Sequence, residues 1–297
     1  MSAQEAAQAA ATHLQAGEYR ASREAALAGL AQAPEDVELL VLAGRAGVEL
    51  DVQDATEQLR RATELAPEHA DAWHYLGEAL AAEGLMDEAR DAFGKAVELN
   101  PEDQVALSHL GHTSAATGHQ QEAVGYLSRA AQSARGTSTA AISLVDMYRT
   151  LGQHEEALAQ ARLIAQAEPD DLMAMLDVAE LSLQVGQLGE ALAAFGRLQE
   201  LDDVPGHEIY PLHGAIKVEL ARECWDHALE LARTAANADT QGRTVGVVAF
   251  LEAQTGAPSE GEVPTREQVD AALDESLSEY RRMHADDRRL AAEDLLG

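Results

Sequence analysis

The sequence contains very little cysteine and few aromatic side chains. Cys224 is the only cysteine among 297 residues, so no disulfide can form within the chain. Aromatic residues account for 4% of the sequence, although hydrophobic residues account for 46%. Sheets favour valine, isoleucine and aromatic side chains, whereas the apolar content here comes mostly from alanine and leucine, which favour helices. The composition therefore predicts an all-α protein.

Long apolar segments are also missing. Wholly apolar runs such as Val247 to Leu251 are far too short to cross a bilayer. The first residues do not show a basic segment followed by an apolar core, which is the pattern of a secretory signal. From these features we expect a cytoplasmic protein.

Positive charge is scarce. The chain has 52 aspartate and glutamate residues against 21 lysine and arginine residues, which gives a net charge of −31. Such a charge repels nucleic acids and anionic membranes and attracts cationic partners. We therefore expect no nucleic-acid partner and no membrane partner. The charge suits a protein partner with basic residues, and the alternative is an acidic surface with no single target.

The sequence lacks the motifs that support common enzymatic chemistry. It contains no nucleophile elbow, no phosphate-binding loop, no dinucleotide-binding glycine motif and no metalloprotease motif. We predict no enzymatic activity, no cofactor and no metal. One alternative is a hydrolase or metal protein built on histidine and glutamate side chains, which would be His74, Glu78, His109 and His112. Structural or solvated roles are more common for such residues.

Prolines recur along the chain at a regular interval. Pro34, Pro67, Pro101 and Pro169 are separated by 33, 34 and 68 residues, and 68 is twice 34. Internal similarity at this period is typical of a solenoid built from repeated helix pairs. Each proline would end a unit, because proline cannot continue a helix.

One unit carries a recognisable pattern of residue types. The residues that carry the pattern are Trp73, Leu76, Gly77, Ala89, Phe93 and Pro101. In spacing and type they resemble the tetratricopeptide repeat, with Leu80 in the place of a tyrosine. The resemblance implies antiparallel helix pairs that stack into a right-handed superhelical solenoid. Small residues such as Gly77 and Gly111 would lie where the two helices of a pair cross most closely.

The register of this pattern predicts the organisation of the chain. We expect about seven repeats over 3–239, a capping helix over 240–255, a linker over 256–264 and a C-terminal amphipathic helix over 265–297. The last helix would have an apolar stripe made of Val269, Leu273, Leu277 and Tyr280. We expect this stripe to pack back on the solenoid, with dimerisation and partner docking as alternatives.

The resemblance also implies where a partner would bind. In this family the first helix of each pair lines a concave groove, mainly through its second, fifth, ninth and twelfth positions. These positions hold Asp71, His74 and Glu78; Val105, Ser108 and His112; Ile142, Asp146 and Arg149; Met173, Leu176, Glu180 and Leu183; and Tyr210, His213 and Lys217.

Together these features predict a protein-interaction adaptor that binds a peptide or helix, with basic residues, in an acidic groove. The alternative is a regulatory or assembly subunit that oligomerises, for example as a homodimer, through its C-terminal helix and the edges of the solenoid. The mass of the protein in solution distinguishes the two.

Overall fold

The computed structural model describes residues 2–52, 54–133, 139–258 and 262–294. These residues form sixteen α-helices and no β-strand, so the chain is all-α as the composition predicts. Parts of the predicted repeats, linker and C-terminal helix lie outside the described residues, namely residues 53, 134–138, 259–261 and 295–297. The chain divides into two compact units, Met1–Ala134 and Arg135–Gly297, which we call unit 1 and unit 2.

Unit 1 consists of four antiparallel helix pairs. The first helices of these pairs are α1 (Ala3–Gln15), α3 (Val37–Glu49), α5 (Ala70–Ala82) and α7 (Gln104–Ala116). The second helices are α2 (Tyr19–Leu30), α4 (Ala55–Leu65), α6 (Met86–Leu99) and α8 (Gln120–Ser133). Each helix packs against its partner in the pair, and α2, α4 and α6 also pack against the first helix of the next pair, so successive pairs bury apolar surface against each other.

Unit 2 contains three helix pairs and two further helices. The pairs are α9 (Thr139–Thr150) with α10 (His154–Ala167), α11 (Leu172–Gln184) with α12 (Leu188–Leu201), and α13 (Ile209–Ala221) with α14 (Trp225–Ala238). The further helices are α15 (Val245–Thr255) and α16 (Arg266–Asp294). α16 packs against α15 and against α9, α11 and α13, which are the first helices of the three pairs.

The periodic prolines are followed by residues that begin the next helix. Asp36, Asp103 and Asp171 each lie two residues after a proline and cap α3, α7 and α11. Oδ1 of Asp103 accepts hydrogen bonds from the backbone N–H groups of Val105 and Ala106. Such capping satisfies backbone donors that a helix leaves unpaired at its start. Proline and aspartate together therefore end one pair and begin the next.

Small residues lie where the helices of a pair cross. A Cβ atom on Gly77 of α5 would lie 2.7 Å from the ring of Phe93 on α6, and one on Gly111 of α7 would lie 2.7 Å from Leu127 on α8. Neither position can hold a larger residue without a shift of the buried partner. The predicted close crossings at Gly77 and Gly111 are confirmed.

The turns within pairs use a left-handed backbone conformation. Gly84, between α5 and α6, has φ of +78°, and Glu223 has φ of +59° at the equivalent turn between α13 and α14. Glycine adopts this conformation without a steric penalty, whereas a residue with a Cβ atom is strained there. The last pair therefore keeps the left-handed turn without glycine, as does the second pair, where Asp51 has φ of +52°.

The first two residues of the stripe on α16 lie in a core of unit 2. Val269 and Leu273 are fully buried in a cluster with Ile216 of α13, Leu229 of α14 and Phe250 of α15. This packing confirms the expectation that the helix folds back on the solenoid. In the part of the chain that the structure describes, no helix is both long enough and apolar enough to cross a bilayer.

Candidate protein-binding surface

The first helices of unit 1 present a mixed row of polar and apolar side chains. Asp71 and Glu78 are two turns apart on α5, and Ser108 and His112 are one turn apart on α7. Residues at such spacings share a helix face. Asp71 is exposed, and Glu78, Ser108 and His112 are half-buried. Val105 precedes Ser108 on α7 and is 42% exposed.

Arginine and tyrosine extend this row to the preceding pair. The guanidinium carbon of Arg45 on α3 lies 4.8 Å from the ring centroid of Tyr75 on α5, which is a cation–π contact. Arg45 is exposed and Tyr75 is half-buried. We call the surface formed by Arg45, Asp71, Glu78, Val105, Ser108 and His112 the unit 1 face.

A cleft of about 400 Å³ lies at one end of the unit 1 face. Its lining is mostly apolar, with a carboxylate and two imidazoles, and consists of Glu78, Ala81, Met86, Phe93, His109, His112, Thr113 and Ala116. Met86 is 37% exposed at its surface. An apolar side chain of a partner would be removed from water here beside a negative charge.

Three titratable side chains meet in the wall of this cleft. Nε2 of His74 lies 3.2 Å from Oε1 of Glu78, and Nδ1 of His109 lies 3.7 Å from the same oxygen. Burial lowers the pKa of His109, although the charge of Glu78 opposes this effect. Burial also lowers the pKa of His112. Both of these rings are therefore neutral at neutral pH.

The predicted site residues of unit 2 are arranged differently, because α16 lies against the first helices. Nη1 of Arg281 on α16 lies 2.8 Å from Oδ1 of Asp177, and Nη2 lies 2.6 Å from Oε2 of Glu180. Arg149 of α9 approaches the same two carboxylates at 2.9 Å and 3.0 Å. Burial alone would lower the pKa of Arg281, but the charges of Asp177 and Glu180 outweigh it and raise this pKa. Glu180, which we predicted for partner binding, is thus engaged by α16, and Arg149, predicted likewise, is engaged by the carboxylates of α11.

An aromatic contact joins α16 to α13. The rings of Tyr280 and Tyr210 stack with their centroids 5.1 Å apart. The Tyr280 hydroxyl donates a 2.8 Å hydrogen bond to Oδ2 of Asp202, and Nδ1 of His207 lies 2.9 Å from the same oxygen. Burial would raise the pKa of Asp202, yet the hydrogen bonds from Tyr280 and His207 hold it below its ordinary value. Tyr210, another predicted site residue, is therefore covered as well.

A buried histidine makes a second polar contact with α16. Nδ1 of His213 lies 2.7 Å from Oγ of Ser276, and its Nε2 lies 3.0 Å from Oγ1 of Thr244. Thr244 donates its hydroxyl proton to Asp239, so it accepts from Nε2–H of His213. When the ring is neutral, its Nδ1 accepts from the hydroxyl of Ser276. Burial lowers the pKa of His213 to about 4.

The remaining predicted residues of unit 2 are buried, paired with α16, or on α9. Lys217 forms an ion pair with Asp274 of α16. Met173 is 5% exposed and Leu176 is fully buried. Ile142 is half-buried and Asp146 is exposed, both on α9.

The predicted site residues therefore fall into two sets. Those of unit 1 form an accessible face, except that His74 is 8% exposed, whereas most of those of unit 2 lie under or beside α16. Sequence reasoning did not place Arg281 or Asp202 at this surface. The available signal was Arg281, four residues after Leu277 and so in line with the apolar stripe, because a buried cation at that position needs a carboxylate opposite it.

Comparison with known proteins identifies the fold. Residues 49–104 match the family model of the tetratricopeptide repeat. The chain therefore contains tetratricopeptide repeats in this segment, and its other helix pairs have the same all-α architecture. No curated protein matches it. Several solved structures of tetratricopeptide-repeat proteins resemble it at low sequence identity.

Three of these structures illustrate the similarity in fold. The C-terminal part of a repeat-containing protein from Cytophaga hutchinsonii is 15% identical, with a TM-score of 0.64 over 80% of this chain and 98% of its own. PilF of Pseudomonas aeruginosa is 18% identical, with a TM-score of 0.55 over 67% of this chain and 91% of its own. YrrB, described as a tetratricopeptide-repeat protein with an unusual peptide-binding site, is 21% identical. Its TM-score is 0.52 over 64% of this chain and 96% of its own. Tetratricopeptide repeats are scaffolds for interactions between proteins, and proteins of this family are generally not enzymes.

Proposed function

We propose that this protein is an adaptor without chemistry of its own, and that it binds a helical or extended segment of a partner on the unit 1 face. The observation that carries the proposal is the position of α16 in unit 2. There a helix lies against the first helices of three pairs and buries its apolar stripe. In the described part of unit 1, no additional helix covers the first helices in this way.

The contacts of α16 indicate what kind of segment such a face accepts. α16 combines an apolar stripe, which ends at Leu277 and Tyr280, with Arg281, whose charge is received by two carboxylates. The unit 1 face offers a similar combination in Asp71, Glu78 and the apolar cleft beside them. We therefore propose a partner segment with an apolar anchor for the cleft and a lysine or arginine nearby.

The overall charge supports the same class of partner. A net charge of −31 attracts basic segments over several ångströms and accelerates their association. The similarity in fold to YrrB, which has a described peptide-binding site, also supports peptide binding. Because exposed charges are screened by salt, we expect the affinity for the partner to fall as the salt concentration rises from low to physiological values.

The direct test is an affinity pull-down from the native lysate with three baits. They are the natural chain, a double variant with Asp71→Arg and Val105→Arg, and a control with Leu27→Arg. Leu27 is also an exposed apolar residue of unit 1, at 38%, but it lies on a second helix. A partner that the natural chain and the control retain, and that the double variant loses, supports the proposal. A partner that all three baits retain contradicts it.

Assembly through α16 is the competing function. The stripe residues Val269, Leu273, Leu277 and Tyr280 are all buried within unit 2. Use of this stripe in a dimer would require α16 to leave its unit, so the burial favours the adaptor. We expect a monomer by light scattering, and a stable dimer would favour the assembly subunit.

A further inference from the structure

A cluster of three metal-ligating side chains lies where α5 and α7 meet. It consists of His74, Glu78 and His109, and one ligand atom of each lies within 4.8 Å of the others. Oε1 of Glu78 is central, at 3.2 Å from Nε2 of His74 and 3.7 Å from Nδ1 of His109. The carboxylate oxygen thus lies between two imidazole nitrogens from two neighbouring helices.

The contact between Nε2 of His74 and Oε1 of Glu78 is a hydrogen bond, but no hydrogen bond accounts for the position of His109. A separation of 3.7 Å is too long for a hydrogen bond between nitrogen and oxygen. Nδ1 of His109 is buried and has no hydrogen-bond partner among the described residues. Buried polar atoms are almost always paired, so an unpaired one in a functional cleft calls for an ion or a water molecule. The spacing leaves room for an ion, because ligands of a tetrahedral zinc ion lie about 3.3 Å apart.

The surrounding structure holds the donors in position. His74 and Glu78 are separated by one helical turn, which directs both side chains to the same side of α5. The ring of Phe93 meets the ring of His74 edge-on at 5.7 Å and that of His109 at 5.0 Å. Packing of this kind limits the rotamers of both imidazoles, so their nitrogen atoms are held in position before an ion binds.

We propose that His74, Glu78 and His109 bind one divalent transition-metal ion at the wall of the cleft. Two imidazoles and one carboxylate are a ligand set that suits Zn²⁺ and its neighbours and does not suit Mg²⁺ or Ca²⁺, which require mostly oxygen. Glu78 and His109 both line the cleft, so the remaining coordination positions of the ion face it. All three ligands come from this chain, so the ion needs no partner protein, but Glu78 also belongs to the unit 1 face, where a bound ion and a basic partner residue would compete for its carboxylate.

A second cluster in unit 2 has a different explanation. Asp202, His207 and His284 also offer three ligand atoms close together. Oδ2 of Asp202, however, already receives hydrogen bonds from the Tyr280 hydroxyl at 2.8 Å and from Nδ1 of His207 at 2.9 Å. These bonds satisfy the carboxylate without an ion. The ion is therefore assigned to the cluster in unit 1.

The test uses the full chain, purified without a histidine tag and stripped of metal with a chelator. Equilibrium dialysis against ZnCl₂, followed by elemental analysis, measures the stoichiometry and the affinity. We expect one zinc ion per chain, and we expect His109→Gln and Glu78→Gln each to weaken binding about tenfold or more, since each removes a direct ligand. His119→Gln, which removes an exposed histidine of the same unit, leaves binding unchanged. Circular dichroism verifies that each variant keeps its helices.

Binding of Co²⁺ to the natural chain gives a readout that does not depend on any variant. We expect visible d–d absorption without a thiolate charge-transfer band, because the single cysteine, Cys224, is not part of the cluster. The absence of stoichiometric zinc binding overturns the proposal, as does a thiolate band with Co²⁺. Retention of zinc by His109→Gln together with its loss in His207→Gln also overturns it, because the ion would then belong to unit 2.

Discussion

Arg281 of α16 and Asp177 of α11 form an ion pair in which Nη1 lies 2.8 Å from Oδ1, and the Asp177 side chain is 1% exposed. Arg149 donates to the same oxygen at 2.9 Å, so one buried carboxylate receives two arginines. A buried charge without sufficient partners is strongly destabilising. The charge of Asp177 therefore links the stability of α11 to the docking of α16.

Removal of this arginine should loosen α16. We expect Arg281→Met to lower the free energy of unfolding by about 1–3 kcal/mol, because Arg149 still pairs with the carboxylates and limits the loss. The apolar stem is kept, so the loss reports the charge. Urea unfolding followed by circular dichroism measures it, and limited proteolysis reports whether α16 is released. Arg282→Met is the control, since Arg282 is adjacent and exposed. Equal effects of the two changes would show that the ion pair does not hold α16.

The apolar stripe should contribute more than the ion pair. Leu273 is fully buried in the core that α16 shares with α13, α14 and α15. We expect Leu273→Ala to cost about 2–5 kcal/mol, through lost burial and the cavity that remains. Ala272→Ser changes the neighbouring exposed residue and should alter the melting temperature very little. If Leu273→Ala melted at the same temperature as the natural protein, the described packing of α16 would be incorrect.

The close crossing of α5 and α6 gives a paired prediction on two glycines. Gly77→Ala places a methyl group 2.7 Å from the Phe93 ring and should destabilise unit 1 by about 1–3 kcal/mol. Gly94→Ala, on α6, meets no atom within 4 Å. It should stabilise the protein by about 0.4–1 kcal/mol, because alanine restricts the unfolded chain. In thermal melts we expect Gly77→Ala to lower the melting temperature and Gly94→Ala to raise it. A rise in both variants would contradict the close crossing at Gly77.

Stability should depend on the protonation of His213. Its folded pKa is about 4, below the ordinary value of 6.5, so the unfolded state binds more protons between these values. The contribution of His213 to the free energy of unfolding is therefore complete above pH 6.5. It is lost as the pH falls towards 4, by about 1.4 kcal/mol per pH unit. Asp239 and Arg243 are the charged groups that act on this ring, in opposite directions.

The variant His213→Gln isolates this contribution. It should unfold more easily than the natural protein at pH 7.5 and should show a shallower loss of stability between pH 6.5 and pH 4.5. Urea titrations at several pH values measure both slopes. Parallel slopes would mean that His213 is not the group that titrates.

The fold could be predicted from the sequence because its determinants are local and repeated. Gly77, Gly111 and Phe93 occupy fixed positions in a 34-residue period, and each explains one helix contact. The stripe from Val269 to Tyr280 likewise predicted a helix with one buried face. Its burial follows from the sequence, because an apolar stripe must be covered.

The position of α16 could not be predicted in the same way. Its contacts join residues far apart in the sequence, such as Lys217 with Asp274 and Arg281 with Asp177. The helical periodicity of the sequence does not indicate which basic side chain pairs with which carboxylate on another helix. Register also placed His109 outside the groove positions, whereas in the structure its ring stacks on that of His74 with centroids 5.4 Å apart. The partner-binding residues of unit 1 stay a prediction.

The most direct test of the adaptor is photo-crosslinking in the native cell. A photoreactive phenylalanine derivative is placed at Val105 on the unit 1 face and, in a separate variant, at Leu27 on the second helix of the first pair. Their exposures are similar, at 42% and 38%. If the adaptor proposal is correct, the probe at Val105 captures a partner through a segment with an apolar and a basic residue, and the probe at Leu27 does not. Capture of the same partner from Leu27 alone would contradict it and would place the binding surface on the second helices.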